Sequence, residues 1–212
     1  MSRYFLFENH PRIIGVRYAL ILGFVSVLAN VPFLFGRFLP LHEIKFFSAD
    51  ENNIVKVILE YQSHLYDFQL WQFLTAHAEY GYAHGFYALL AIATLPFGAL
   101  GGELGVLAAG RVFCVCAVAA SVVWSSKLAL TISGSRVLAM ASGLVMAIMP
   151  VLMVHQRTVS PDQIALVSAI IAVAVLFNAT LKRWRSSALL ATALFSVSVM
   201  IKPNSAFVLP SF

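Results

Sequence analysis

Long apolar stretches without charge alternate with short polar stretches along most of this chain. Several of them run for about 18 residues or more, which is long enough for a helix to cross the hydrocarbon core of a membrane. The pattern predicts an all-α, polytopic helical membrane protein that forms a single module over residues 1–212. Five membrane spans are predicted, at residues 13–36, 104–126, 137–155, 162–181 and 187–201.

A sixth apolar run, Gly85 to Leu100, differs from these five spans. It is shorter, contains Pro96 and is flanked by glycines, and runs of this length often lie at the interface or re-enter the membrane. The positive charges decide between the two topologies, because Lys and Arg concentrate in cytoplasmic loops. If the run does not span, most of the basic residues fall inside and every acid except Glu8 falls outside. We therefore predict that it lies on, or dips into, the outer face.

This topology places the N-terminus in the cytoplasm, the protein in the plasma (inner) membrane and the active face outside. It leaves a long outer segment, residues 37–103, between the first two spans. Apolar side chains recur there at helical spacing, at Ile54, Ile58, Tyr61 and Leu65. The spacing predicts an amphipathic helix over residues 49–65, which would lie flat at the membrane surface.

Composition agrees with a membrane chain and excludes some functions. Of the residues, 60% are hydrophobic and 11% are charged, against about 45–50% and about 25% in soluble domains. The net charge of +5 does not indicate nucleic-acid binding, because the basic residues are scattered and form no stripe. The histidines show no metal-binding spacing, so no metal site is predicted, and no cofactor is assigned. A divalent cation on the carboxylates stays open.

Two short stretches resemble each other, Ser48-Ala49-Asp50-Glu51 and Ser160-Pro161-Asp162-Gln163. Each is a capping box, with a Ser followed three residues later by Glu or Gln, so helix capping alone explains most of both stretches. It does not require Asp50. The predicted topology places Asp50 and Asp162 on the same outer face, and a carboxylate at the edge of a membrane site is costly, which makes it a functional candidate.

Three cations also fall near the outer face, and two interpretations apply to them. They either snorkel toward water and headgroups or recognise a phosphate. Arg157 is also close enough in sequence to pair with Asp162. These three residues are Arg111, Arg157 and Lys202.

The ordered set of motifs resembles the GT-C fold glycosyltransferases that use polyprenyl-phosphate sugars. The nearest are the dolichyl-phosphate-mannose protein mannosyltransferases (glycosyltransferase family 39) and the bacterial lipid A aminoarabinose transferases. Their motifs match, in order, Asp50-Glu51, the aromatic segment from Glu79 to Tyr87, Ala108 to Arg111, Arg157 to Asp162, and Lys202-Pro203-Asn204. In the last motif, Pro-Asn stands where the family has Gly-Pro. The family's later spans and C-terminal domain have no counterpart, so the chain resembles an N-terminal portion.

The resemblance implies an inverting transfer of a sugar from a polyprenyl-phosphate donor to a glycan, lipid or protein acceptor, with membrane lipid around the site. Asp50 would be the general base, and Glu51 and Asp162 would orient the acceptor or a cation. The donor phosphate would be bound by Arg111, Arg157 and Lys202. The sugar and acceptor platform would include Tyr80, Tyr82 and His84.

Two other interpretations stay open. One alternative to the active transferase is a non-catalytic membrane subunit or transporter segment. The other is an inactive truncated glycosyltransferase. A transporter would carry acids within its spans and broken helices in corresponding halves, and the sequence shows no such duplication.

Overall fold

The computed structural model describes residues 18–28, 49–76, 84–148, 159–177 and 184–202. Within them the chain is all-α, with eight helices and no strand, as the sequence predicts. The helices are α1 (Tyr18–Leu28), α2 (Ala49–Tyr66), α3 (Leu70–Thr75), α4 (His84–Ala93), α5 (Leu95–Ser133), α6 (Arg136–Ile148), α7 (Pro161–Phe177) and α8 (Trp184–Ile201).

Each of the five predicted spans overlaps one of these helices. Two of them, α5 and α8, are long and apolar enough to cross a membrane. Over the described residues α1, α6 and α7 are apolar but shorter, and parts of their predicted spans lie outside those residues. The count of five spans therefore stays a prediction.

The apolar run of residues 85–100 is not one helix, because it divides at Thr94. The Thr94 hydroxyl donates to the Leu90 carbonyl at the end of α4 (2.7 Å), and α5 then begins with Pro96 in its first turn, where proline is favoured. α5 has a break of its own at Gly102, whose φ of 53° and ψ of −135° are not helical. Neither piece of the run is long enough to cross a bilayer.

The amphipathic helix predicted over residues 49–65 is present as α2. Its apolar side chains Ile54, Ile58 and Tyr61 are buried in a core shared with α4 and α5. The structure corrects the expectation that this face meets the membrane surface, since other helices of the chain cover it.

The long helix α5 is the centre of the packing, with α2, α6 and α7 against it and α8 against α7. Near one end of the bundle, the N-terminal half of α5 meets the starts of α2 and α7, and the last residues of α8. At the opposite end, α1, α5 and α6 meet around Tyr18, Ser126 and Arg136. The first end carries the candidate residues and is called the site end, defined by Glu51, Arg111, Asp162 and Lys202.

Candidate functional site

A buried ion pair joins α2 to α5 at the site end. The Nε of Arg111 donates to Oε1 of Glu51 at 2.9 Å, and an Nη donates to Oε2 at 2.7 Å. Both side chains are 1% exposed. Two parallel charge-assisted hydrogen bonds fix the geometry as well as the charge balance, so this pair holds the first turn of α2 in a defined place.

The same carboxylate also holds the segment that leads into α7. The backbone N–H of Val159 donates to Oε1 of Glu51 at 3.1 Å, across 108 positions of the chain. Asp50 precedes Glu51, and Asp162 follows Val159 by three positions. The starts of α2 and α7 therefore come together in space at this hydrogen bond.

A second ion pair joins the start of α7 to the end of α8. The ammonium of Lys202 contacts Oδ1 of Asp162, and the Ser160 hydroxyl donates to Oδ2 at 3.2 Å. Asp162 is 33% exposed and Lys202 is 35% exposed. Unlike the pair in the core, this pair is open to solvent or to a ligand.

Ser160 caps α7, but Gln163 does not complete the predicted capping box. The Asp162 N–H donates to the Ser160 hydroxyl oxygen at 3.3 Å, which is the expected capping contact. The Gln163 amide, in contrast, is buried and hydrogen-bonds to nothing in the part of the chain that the structure describes. A capping box needs the side-chain carbonyl of Gln163 to accept from the Ser160 N–H, so the prediction of a capping box at the start of α7 is wrong.

Some of the predicted site residues are described only in part or not at all. The backbone of Asp50 lies in the first turn of α2, but its side chain is not described. Asp162 pairs with Lys202. The predicted pairing of Asp162 with Arg157 lies outside the described residues, as do the two tyrosines of the predicted platform, Tyr80 and Tyr82.

The third platform residue, His84, lies in an aromatic cluster where α2, α3 and α4 meet. Its Nδ1 is 2.9 Å from the Tyr61 hydroxyl, which donates to the Ala76 carbonyl at 3.0 Å. Phe73 packs edge-on against Tyr61. Burial raises the pKa of the Tyr61 hydroxyl, and the nearby Glu60 carboxylate raises it further, so Tyr61 stays a protonated donor.

This cluster is separate from the ion pairs. Tyr61 follows Glu51 by ten positions on α2, a rise of about 15 Å. His84 therefore lies roughly that far along the helix from the Glu51 carboxylate. The spacing along α2 predicts Tyr61 only as an apolar position. Its hydrogen bond to His84 spans 23 positions, and no local sequence pattern predicts a contact at that separation.

A divalent cation on the carboxylates stays a prediction. Among the described residues, no group of three or more His, Cys, Asp or Glu side chains comes together as a metal site. The two described carboxylates of the site end, Glu51 and Asp162, each already contact a cation.

The arrangement supports two different chemical uses. The Glu51–Arg111 pair is closed and positions backbone. The Asp162–Lys202 pair is accessible, so an incoming phosphate can replace Asp162 at the Lys202 ammonium, and an incoming hydroxyl can donate to Asp162. Arg111 is the only charge between Glu103 and Lys127 in an otherwise apolar helix, and that isolation is the sequence signal that a carboxylate must pair with it.

Comparison with known proteins gives no function for this arrangement. No known protein family, curated protein or solved structure matches this chain.

Proposed function

We propose that this chain is a membrane glycosyltransferase of the GT-C type, which moves a sugar from a polyprenyl-phosphate donor to a glycan, lipid or protein acceptor. The observation that carries the proposal is the junction between Glu51, next to Asp50, and Val159, close before Asp162. Such a transfer needs a base for the acceptor proton and cations for the leaving phosphate. The site end brings carboxylates and cations together.

The proposal assigns a membrane depth to the site. Glu103 and Lys127 are 24 positions apart on α5, a rise of about 36 Å, which exceeds the hydrocarbon core of about 30 Å and reaches into the headgroups. Arg111 lies eight positions past Glu103, or about 12 Å deeper. Pairing with Glu51 makes a charge at that depth tolerable.

The charges at the two ends of the bundle support an outward-facing site in a multi-pass protein. Carboxylates gather at the site end, whereas Lys127 and Arg136 lie toward the opposite end, where α5 finishes and α6 begins. With positive charge inside, the N-terminus is cytoplasmic and the site opens to the outer face of the plasma membrane. A lipid-linked donor reaches such a site from within the bilayer.

In the proposed reaction Asp50 accepts the proton of the acceptor hydroxyl. The acceptor oxygen forms a bond to the anomeric carbon while the bond from that carbon to the phosphate oxygen breaks. The polyprenyl phosphate leaves with the bonding electrons, and Lys202, released from Asp162, neutralises it. Glu51 and Arg111 position Asp50 by fixing the first turn of α2. General-base catalysis of this kind contributes about 10²–10⁴ in rate.

One observation favours a second candidate function, that of a non-catalytic membrane subunit. Both described carboxylates of the site end are already neutralised by a cation of the same chain. If Asp50 plays no chemical role, these pairs do no more than join helices.

The test is sugar transfer by Asp50→Asn, with Glu60→Gln as the matched control. Glu60 is an exposed acid on the same helix, away from the ion pairs. The chain is reconstituted in membranes and given polyprenyl-phosphate donors that carry labelled mannose or labelled aminoarabinose. We expect Asp50→Asn to lose about 10²-fold or more of the transfer rate, and Glu60→Gln to keep it.

Two outcomes would overturn the proposal. Transfer by Asp50→Asn at the wild-type rate would remove Asp50 from the role of base. A wild-type chain that inserts into membranes but neither transfers these sugars nor binds polyprenyl phosphate would favour the non-catalytic subunit.

A further inference from the structure

Large apolar side chains are concentrated on the outside of α3 and the turn before it. Phe68 is 88% exposed and Trp71 is 76% exposed, and Leu70 and Leu74 are also exposed. α3 carries no charged residue. Exposed apolar patches of this kind mark an interaction surface.

The turn that presents Phe68 is held by its own backbone. Phe68 has a φ of 56°, in the left-handed region that costs about 1–2 kcal/mol for a residue other than glycine. Three backbone hydrogen bonds fix the turn around it, from the N–H groups of Asp67, Phe68 and Gln69 to carbonyls in the last turn of α2. The outward position of Phe68 is therefore a fixed feature of the fold.

A second exposed apolar surface lies where the end of α2 meets the start of α5. Phe97 and Leu100, in the first turns of α5, are exposed. The Tyr66 hydroxyl donates to the Leu95 carbonyl at 2.7 Å and ties the end of α2 to the start of α5. A Cβ on Gly98 would overlap the Gln62 side chain, which shows how closely the two helices approach.

The position of Glu103 places both surfaces at one depth. Glu103 is the first charge on α5, and Arg111, which pairs with Glu51, is the only charge between it and Lys127. The left-handed Gly102 turns residues 95–101 away from the axis of α5 at this point. If α5 crosses the membrane, its first turns leave the bilayer at the headgroups, and the bond to Tyr66 brings α3 close to that level.

We infer that α3 and the first turns of α5 form a lipid anchor, which inserts Phe68, Trp71 and Leu100 into the outer leaflet. The occupant is phospholipid at the boundary between headgroups and acyl chains, where Trp and other aromatic side chains are favoured. The inference rests on the proposed membrane placement of α5 and not on sugar transfer. The anchor fixes the far end of α2, while the Glu51–Arg111 pair fixes its start, so together they set the depth of Asp50.

The test uses Trp71 as its own reporter. The chain has three tryptophans, so Trp124→Phe with Trp184→Phe leaves Trp71 as the only one. This chain is reconstituted in phosphatidylcholine vesicles that carry bromine at shallow or at deep acyl positions. We expect shallow bromines to quench Trp71 more strongly than deep bromines, and iodide in the water to quench it weakly.

Either of two results would overturn the anchor. Strong quenching by iodide with none by bromine would place Trp71 in water. Quenching by neither would show that protein covers it, either a second copy of the chain or another segment of the same one.

A variant pair separates anchoring from folding. Leu70→Ser with Leu74→Ser changes only exposed side chains of α3, so the thermal unfolding midpoint should not move. On the Trp71-only background we expect this change to lower bromine quenching and raise iodide quenching. Unchanged quenching by shallow bromines would also contradict the inference. All of these readings are independent of any transfer activity.

Discussion

The two ion pairs of the site end share their chemistry and differ in their surroundings. Glu51 and Arg111 are each 1% exposed, whereas Asp162 and Lys202 are 33% and 35% exposed. The first pair is bidentate and also holds a backbone N–H. The second relies on a single lysine ammonium and a serine hydroxyl.

This difference separates a structural role from a binding role. A buried pair gives little net stability when intact, but losing one partner leaves an uncompensated charge in the core. An accessible pair is screened by water and contributes about 0–1 kcal/mol, so its members can change partners at low cost. We therefore expect the first pair to control folding and the second to control binding.

The largest expected effect comes from removing one partner of the buried pair. Arg111→Met leaves the Glu51 carboxylate without its cation, and we expect the free energy of unfolding to fall by about 3–5 kcal/mol. The measurement is denaturant unfolding in detergent, followed by tryptophan fluorescence. Arg136→Gln, an exposed arginine at the start of α6, is the control, and a surface change of this kind should alter stability by less than about 0.5 kcal/mol.

The double variant Glu51→Met with Arg111→Met makes this prediction sharper. Replacing both charges by apolar side chains should recover most of the loss, because no unpaired charge remains. If Arg111→Met proved as stable as the wild type, the pair would not be buried as described, and the contrast with the accessible pair would fail.

An intermediate effect is expected at Gly85, where α4 approaches the last turn of α8. A Cβ there would lie 2.8 Å from the Met200 carbonyl oxygen and 3.0 Å from the Met200 Cβ. Gly85→Ala forces these helices apart, and we expect a loss of about 1–3 kcal/mol. Since Met200 is two positions before Lys202, the accessible pair should be disturbed and the buried pair spared.

Gly101→Ala is the matched control, because a Cβ there meets nothing within 4 Å. It should be neutral or stabilise by about 0.4–1 kcal/mol. The two variants are compared by denaturant unfolding. Equal stability in both would show that α4 and α8 do not make the close contact.

The smallest effect on stability is expected for the accessible pair. Asp162→Asn should lower the free energy of unfolding by less than about 1 kcal/mol, measured as for Arg111→Met. The same variant should slow sugar transfer, because Lys202 loses the carboxylate that orients it. A stability loss as large as that of Arg111→Met would mean that the two pairs have the same role.

Local patterns predicted the helices well. The apolar spacing through Ile54, Ile58 and Tyr61 gave α2 to within one residue of its observed end. Hydropathy located α5 but not its bounds, because a hydropathy window marks apolar residues and not capping. The end of α5 is set by Gly134, whose φ of 66° lets its N–H reach the Leu130 carbonyl, and that glycine is visible in the sequence.

Long-range partners were harder to predict. Glu51 finds Arg111 at 60 positions and Val159 at 108, and periodicity carries no information at such separations. The charge pattern predicts that Glu51 and Arg111 lie on one face of the membrane. It does not predict that they form a pair. The sequence likewise shows that one face of α2 is apolar, but it does not show what covers that face. The prediction that it meets the membrane was therefore wrong, because α4 and α5 cover it.

The reach of the Glu51 carboxylate has a consequence for biosynthesis. During synthesis Glu51 emerges first, Arg111 follows and Val159 comes last, so the junction cannot close until the start of α7 has left the ribosome. If α5 crosses the membrane as proposed, inserting Arg111 before α2 docks costs about 2.5–3.5 kcal/mol on insertion scales. On that proposed placement, the Glu51 carboxylate is synthesised before α5 and neutralises the arginine of this later helix when the helix enters the lipid.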